Sequence, residues 1–242
     1  MSDYFKNFPQ NAYSFGSGLP FVGWQNLTAY VDIIDQVKDN IAFYGYYNIQ
    51  EGDRADQVSQ YIYGDMKYYW TFYLLNDHIR EQGWTLSYPE LVKKVGKLHP
   101  NTVLTTKDII AGKFKVGQTV TGSSTGATGT IIHRNLDLGQ LVIKGSLSFN
   151  STETITSQVG DTVESITLIG AVDEPNSIRY YVDADMNHYD IDPHADRPSL
   201  YAPVTQYEYY AQENDKLKQI KVLNPRVVND VAKEFQEVVR NA

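Results

Sequence analysis

Apolar residues recur in different rhythms along the chain. Val58, Tyr61 and Ile62 repeat at helical spacing and predict one buried helix face. Upstream, Tyr46 to Gln50 reads as a strand ended by Glu51-Gly52, with Asp53 as N-cap and Asp56 in the first turn. Gly64 supplies a left-handed C-cap, and Asp65 caps the next helix at once. That second helix carries the apolar stripe Met66, Trp70, Tyr73 and Leu74, and Asn76 is expected to make the left-handed exit. A third helical stretch runs from Tyr88 to Lys97, starting at Pro89, while Val31, Ile34 and Ile41 fit helix better than strand.

From Thr105 to Asp173 the period changes to two. FKVGQTVTG, GTIIHR, QLVIKG, ETITS and ESITLIG alternate between Gly/Ser turns and predict a small all-β barrel or sandwich. A faint repeat runs through it: Phe114–Thr121 aligns with Phe149–Thr156, and Gly129-Thr-Ile131 with Glu164-Ser-Ile166. Two copies are too few for a solenoid, so two related hairpin units are expected. Beyond Pro175, Ser177–Val182 reads as a strand. Thr205-Gln-Tyr-Glu208 is a capping box opening a helix, and Ile220–Leu223 is a short strand. Asn224-Pro225 starts a last helix whose seam is Val228, Val231, Phe235 and Val238.

Residues Met1 to Asn26 have no sustained period and form an extended arm, whose aromatics Phe5, Phe8, Tyr13, Phe15 and Phe21 must dock somewhere. No basic-then-apolar leader is visible there, and no apolar run approaches the roughly 18 residues that span a bilayer. With no cysteine, disulfides, thiolate metal sites and a Cys nucleophile are excluded. The net charge of -8 argues against nucleic acid as a partner; the lysines at 216, 218 and 221 are interleaved with acids. Nineteen tyrosines suit a surface that meets other proteins or a Tyr-rich core edge.

Tyr47-Asn-Ile-Gln-Glu-Gly-Asp53, Ile62-Tyr-Gly-Asp65, Tyr69-Trp70, Leu74-Leu-Asn76, Trp84 and the segment Glu213–Leu223 with its closing helix resemble a known family. It is the baseplate wedge protein 53 family of T4-like contractile-tailed phages. The resemblance covers roughly 27–97 and 177–242. It implies an α+β fold with a LysM-like strand–helix–helix core, an inserted all-β module and a C-terminal helix–strand–helix segment. The implied domains are an aromatic arm (1–26), a LysM-like wedge domain (27–104), the β insertion (105–173) and the C-terminal part (174–242). It also implies a non-enzymatic virion protein, made in the host cytoplasm, that clamps neighbouring wedges into a closed six-fold ring. Partners would be other wedge proteins, neighbouring copies and the sheath-initiator protein near the tail tube, with no nucleic acid and no membrane. The interface residues it points to are Tyr47, Glu51, Asp53, Arg54, Tyr69, Trp70, Asn76, Trp84, Leu217, Ile220 and Phe235. The chain departs from the family at Trp84-Thr85, where Trp-Pro is common, and the β insertion resembles Gly/Thr-rich modules of other phage structural proteins.

LysM modules also hold N-acetylglucosamine polymers, here between the loops Gln50–Arg54 and Asn76–Gln82, which makes peptidoglycan binding at infection the alternative. Those loops are acidic, and Arg54 and Arg80 are expected to pair across a protein contact. The loop Asp183, Asp185, His188, Asp190, Asp192, His194, Asp196 has metal-ligand chemistry but no EF-hand spacing and no helical His pair, so a solvated or salt-bridging loop is expected and no metal or cofactor. Thr121–Gly126 looks like a phosphate loop without its Gly-Lys-Ser/Thr, and reads as a hairpin turn. No Gly-x-Ser-x-Gly elbow occurs, and no carboxylate pair sits in a catalytic frame.

Overall fold

A computed structural model describes residues 9–25, 43–189, 191 and 201–241. The expected helix around Val31 to Ile41, Phe5 and Phe8 of the arm, and Asp190, Asp192, His194 and Asp196 lie outside these residues. The chain mixes helices and strands in an α+β fold and forms two compact units, Met1–Ser87 with Asn214–Ala242, and Tyr88–Glu213.

The first unit begins with a hairpin of β1 (Gln10–Tyr13) and β2 (Val22–Gln25). Strand β3 (Tyr44–Asn48) then leads into helix α1 (Ala55–Tyr63), a 3₁₀ turn (Met66–Tyr68), and helices α2 (Trp70–Leu75) and α3 (Asp77–Gln82). Gly64 ends α1 in the left-handed region at φ 73°, where a Cβ would be strained, and the Asp65 carboxylate accepts from Lys67 N at 2.9 Å. The α1–α2 corner therefore turns on two backbone-level devices in adjacent residues.

Two expectations fail here. Asp53 is not the cap of α1; Arg54 holds that position, and its N–H donates to Gln57 Oε1 at 3.3 Å. Asn76 leaves α2 in extended backbone, at φ -128°, because its side chain is needed inside. The apolar stripe also shifts. Met66 is exposed, whereas Phe72 is fully buried, and α2 is covered on two sides.

What completes the sheet comes from the far end of the chain. β13 (Gln219–Leu223) pairs antiparallel with β3, Tyr47 opposite Ile220, so the strand at Ile178–Val182 is not the partner. One face of α2 packs with Ile49, Val58, Ile79, Ile220 and Val222 around Phe72. Its other face packs Trp70, Leu74 and Leu75 on helix α6 (Val228–Asn241), with the Trp70 and Phe235 rings 5.0 Å apart. Helix α6 starts three residues after Pro225, because Asn224 O first closes a turn with Val227 N and Val228 N. Val228 and Phe235 are buried and Val231 packs against them, which is the predicted seam; Val238 falls outside the described side chains.

The second unit opens with α4 (Tyr88–Leu98) and contains a closed antiparallel barrel. Its strands are β4 (Thr102–Thr106), β5 (Thr119–Gly122), β6 (Thr128–Asn135), β7 (Gln140–Ile143), β8 (Thr154–Val159) and β9 (Thr162–Asp173), in the order β4-β7-β6-β5-β8-β9. Leu104, Val120, Ile131, Leu141, Ile143, Ile155, Ile166 and Leu168 fill the interior. The expected boundary between residues 104 and 105 cuts through β4, whose pairing with both β7 and β9 closes the barrel. Beyond it, β10 (Ile178–Val182) pairs with β11 (His188–Tyr189) and β12 (Ala202–Thr205). Helix α5 (Gln206–Lys216) follows, opened by the reciprocal bonds Thr205 N to Glu208 Oε2 (2.7 Å) and Glu208 N to Thr205 Oγ1 (3.1 Å).

The repeat is real but its register is corrected. Thr119 pairs with Thr130 and Thr154 with Thr167, so the second hairpin is two residues longer and Gly129–Ile131 matches Ile166–Leu168, not Glu164–Ile166. The halves are β5-β6-β7 and β8-β9-β4. Each third strand meets a bulge in the same place, leaving Ile132 and Ile169 outside the register. Leu104 opposite Leu141 and Thr121 opposite Thr156 are then equivalents facing each other, the pairing of an approximate two-fold.

Candidate functional site

An open cleft of about 620 Å³ lies beside the β3–α1 loop, lined by Tyr47, Gln50, Asp53, Gln57, Val58 and Tyr61. Its shape follows from how the loop is braced. Gly52 turns the backbone at φ 83°. The Asp53 carboxylate accepts from Gln50 N and from the Tyr47 hydroxyl, each at 3.1 Å, which ties loop to strand. Burial, and then this bond and the Asp53 charge, raise the Tyr47 phenol above its ordinary value, so it stays a donor. The Asp53 carbonyl accepts from the Trp84 indole at 2.7 Å, and the Trp84 ring lies 6.0 Å from those of Phe72 and Tyr73. Asp53 is thus a three-way brace, a role that its cap-like position concealed.

Two buried asparagines make the other constellation. Asn76 donates from Nδ2 to Phe72 O and to Lys221 O, both at 2.8 Å, and Asn76 Oδ1 accepts from Lys221 N at 2.7 Å. Its amide therefore occupies the edge of β13 that β3 leaves open, satisfying both polar groups of one peptide position. Asn214, at the end of α5, repeats the device: it accepts from Leu86 N at 2.8 Å and donates to Leu86 O at 3.0 Å. Each clamp joins the segment before Ser87 to the segment after Glu213. Neither is visible in sequence, since the partners are 145 and 128 residues apart and an amide side chain carries no period.

The predicted interface residues separate into two groups. Trp70, Asn76, Leu217, Ile220 and Phe235 are buried among this chain's own side chains, where they hold the unit together. Their side chains are covered by this chain's own core, which leaves them little surface of their own. Tyr69 and Trp84 are half-buried against the same core. Tyr47 and Asp53 line the cleft, while Glu51 and Arg54 are exposed on the same β3–α1 loop. Arg54 and Arg80 pair locally, with Asp56 at 3.1 Å and Asp77 at 2.8 Å. The segment Asp77–Gln82, expected as a groove-forming loop, is a helix.

Chemistry in the barrel resolves the phosphate-like loop. Glu153 is buried, and its carboxylate accepts from the backbone N–H groups of Asn150 (2.6 Å), Ser124 (2.9 Å) and Thr125 (3.1 Å) and from the Ser124 and Thr125 hydroxyls. The Gly122 turn needs its missing Cβ, which would lie 2.5 Å from Glu153 Oε2. Burial pushes the carboxyl up, but these donors outweigh it and hold its pKa at about 2. The anion cradle of Thr121–Gly126 is filled by the protein itself.

In the acidic loop, Asp183 Oδ1 accepts from Asp185 N and Asn187 N at 2.9 Å, and among the described residues no group of three or more His, Asp or Glu side chains is placed to hold a metal ion. No helix among them is long and apolar enough to cross a membrane. Compared with protein-family models and with curated proteins, the chain matches none.

Proposed function

We propose that this chain is a structural joint of a contractile-tail baseplate, with a LysM-like core put to mechanical use. It works by protein–protein contact, joining neighbouring wedges around the tail tube, and it needs neither cofactor nor catalytic residue. The observation that carries the reading is that the parts of the two wedge-53-like segments lying before Ser87 and after Glu213, far apart in sequence, form one unit. Strands β3 and β13 pair, Asn76 grips Lys221, Asn214 grips Leu86, and Trp70 packs on Phe235. A core closed this way resists being pulled open, because its ends are bonded at several separate places. The test is co-expression with the wedge proteins of a contractile-tailed phage: a stable complex on size exclusion supports the joint.

One observation favours a second reading, a glycan-binding module. The cleft presents two tyrosines, two glutamines and a carboxylate, a lining suited to sugar hydroxyls and ring faces. Saturable binding to insoluble peptidoglycan, abolished by Tyr61→Ala, together with no complex in the co-expression, would favour it.

A further inference from the structure

The hairpin of β1 and β2 is polar on one face and aromatic on the other. The register sets Gln10 opposite Gln25 and Ala12 opposite Gly23 on the first face, and Asn11 opposite Trp24 and Tyr13 opposite Val22 on the second. Phe15 extends the second face, edge-on to Tyr13 at 5.2 Å and to Trp24 at 6.1 Å. The aromatics are open to solvent: Tyr13 is 59% exposed, Phe15 65%, Phe21 76% and Trp24 56%, with Leu19 and Val22 beside them. Among the described residues β1 and β2 pair only with each other, and a lone two-stranded ribbon is marginal in water.

Taking about 200 Å² per aromatic, Tyr13, Phe15 and Trp24 with Val22 leave roughly 400 Å² of apolar surface open on this face, and Leu19 and Phe21 in the connecting turn leave about 250 Å² more. The largest patch on an ordinary monomer is about 300–600 Å². A cover is therefore required, and charge limits what it is. Residues 9–26 hold no charged side chain, in a chain whose net charge is -8. An acidic or basic partner finds nothing there to pair with, and an anionic membrane finds no lysine or arginine.

We infer that the cover is the same face of a second copy, hairpin on hairpin across a two-fold axis. An isologous contact matches an apolar face with itself and needs no outside groove. Face and turn together approach the roughly 800 Å² per partner of a standard interface, so the hairpins nearly suffice. Acidic chains repel over the rest of their surface, and the neutral ribbon is where two of them meet at least cost. The proposal rests on the hairpin and stands whether or not the baseplate reading holds.

The experiment is sedimentation velocity of the full chain across a dilution series, with Trp24→Glu and Phe15→Glu as separate variants. The chain should sediment as a dimer that dissociates on dilution. Each variant should raise the dissociation constant about 30-fold or more, as expected for losing a central aromatic contact, with the thermal midpoint unchanged. Tryptophan emission should move to the red on dilution, and Trp24→Phe should remove that shift. A monomer at every concentration, or a dimer indifferent to both charged variants, would overturn the inference. So would a monomer that binds neutral phosphatidylcholine vesicles through this face.

Discussion

In the barrel, three of the six neighbouring strand pairs are joined by short hairpins, and the interior is aliphatic apart from Phe114 and the half-buried Phe149. The sheet closes on itself and has no free edge. The unit around β3 is built the other way. Its two-stranded sheet has edges, its core is rich in aromatic rings, and it is closed by residues from opposite ends of the chain. There, side-chain amides do what further strands do in the barrel. The contrast separates a fold that closes on itself from one that must be stapled, and each staple is a place to test it.

Phe72→Ala should have the largest effect. A fully buried ring in the centre of the stapled core is lost, at a cost of about 3–5 kcal/mol. Hydrogen exchange should show early opening of α1, α2 and β13 while barrel amides stay protected; equal loss in both units would break the comparison. Gly129→Ala should disturb the barrel by about 1–3 kcal/mol, because the added methyl collides with Ile143 and Leu147. Chemical denaturation followed by barrel-specific exchange would measure it.

Glu153→Gln should cost the barrel about 1–3 kcal/mol, by weakening a cradle of charge-assisted bonds. The pH dependence has a definite sign. The folded carboxyl, at about 2, binds its proton more weakly than the ordinary 4.5 of the unfolded chain. Its contribution is therefore complete above pH 4.5 and is lost as pH falls toward 2. Wild type should lose stability over that window, and the variant should lose less; parallel curves would remove Glu153 from the account. Asn76→Ala and Asn214→Ala should each cost about 1–3 kcal/mol, by stranding a buried N–H and C=O. Tyr47→Phe, which removes one half-exposed bond to Asp53, should cost about 1 kcal/mol or less.

Features that a single residue imposes on its own backbone were legible in the sequence. Gly64 and Asp65 at the α1–α2 corner, the Thr205–Glu208 box and the alternating barrel hairpins belong to this kind. Features fixed by a distant partner were not. Thr102–Thr106 looked like a boundary because, as a strand between two others, it is buried almost throughout and shows little alternation. Asp53 looked like a cap because the sequence cannot show Tyr47 and Trp84 converging on it. The repeat was legible, but its register was not, because a two-residue difference in hairpin length leaves no trace in Thr/Ile alternation. Five of the eleven expected interface residues are buried in this chain's own core for a related reason: a resemblance carries residue identities, and burial depends on what folds over them.

The central claim is that the stapled unit is a joint, and co-expression with baseplate wedge proteins tests it most directly. Size exclusion with light scattering should show a defined complex for wild type and for Tyr61→Ala in the cleft. The Asn76→Ala/Asn214→Ala double variant should lose the complex while the isolated chain keeps its barrel amides protected. Failure of wild type to join any complex, with saturable binding to peptidoglycan through the Tyr47–Tyr61 cleft, would contradict the account.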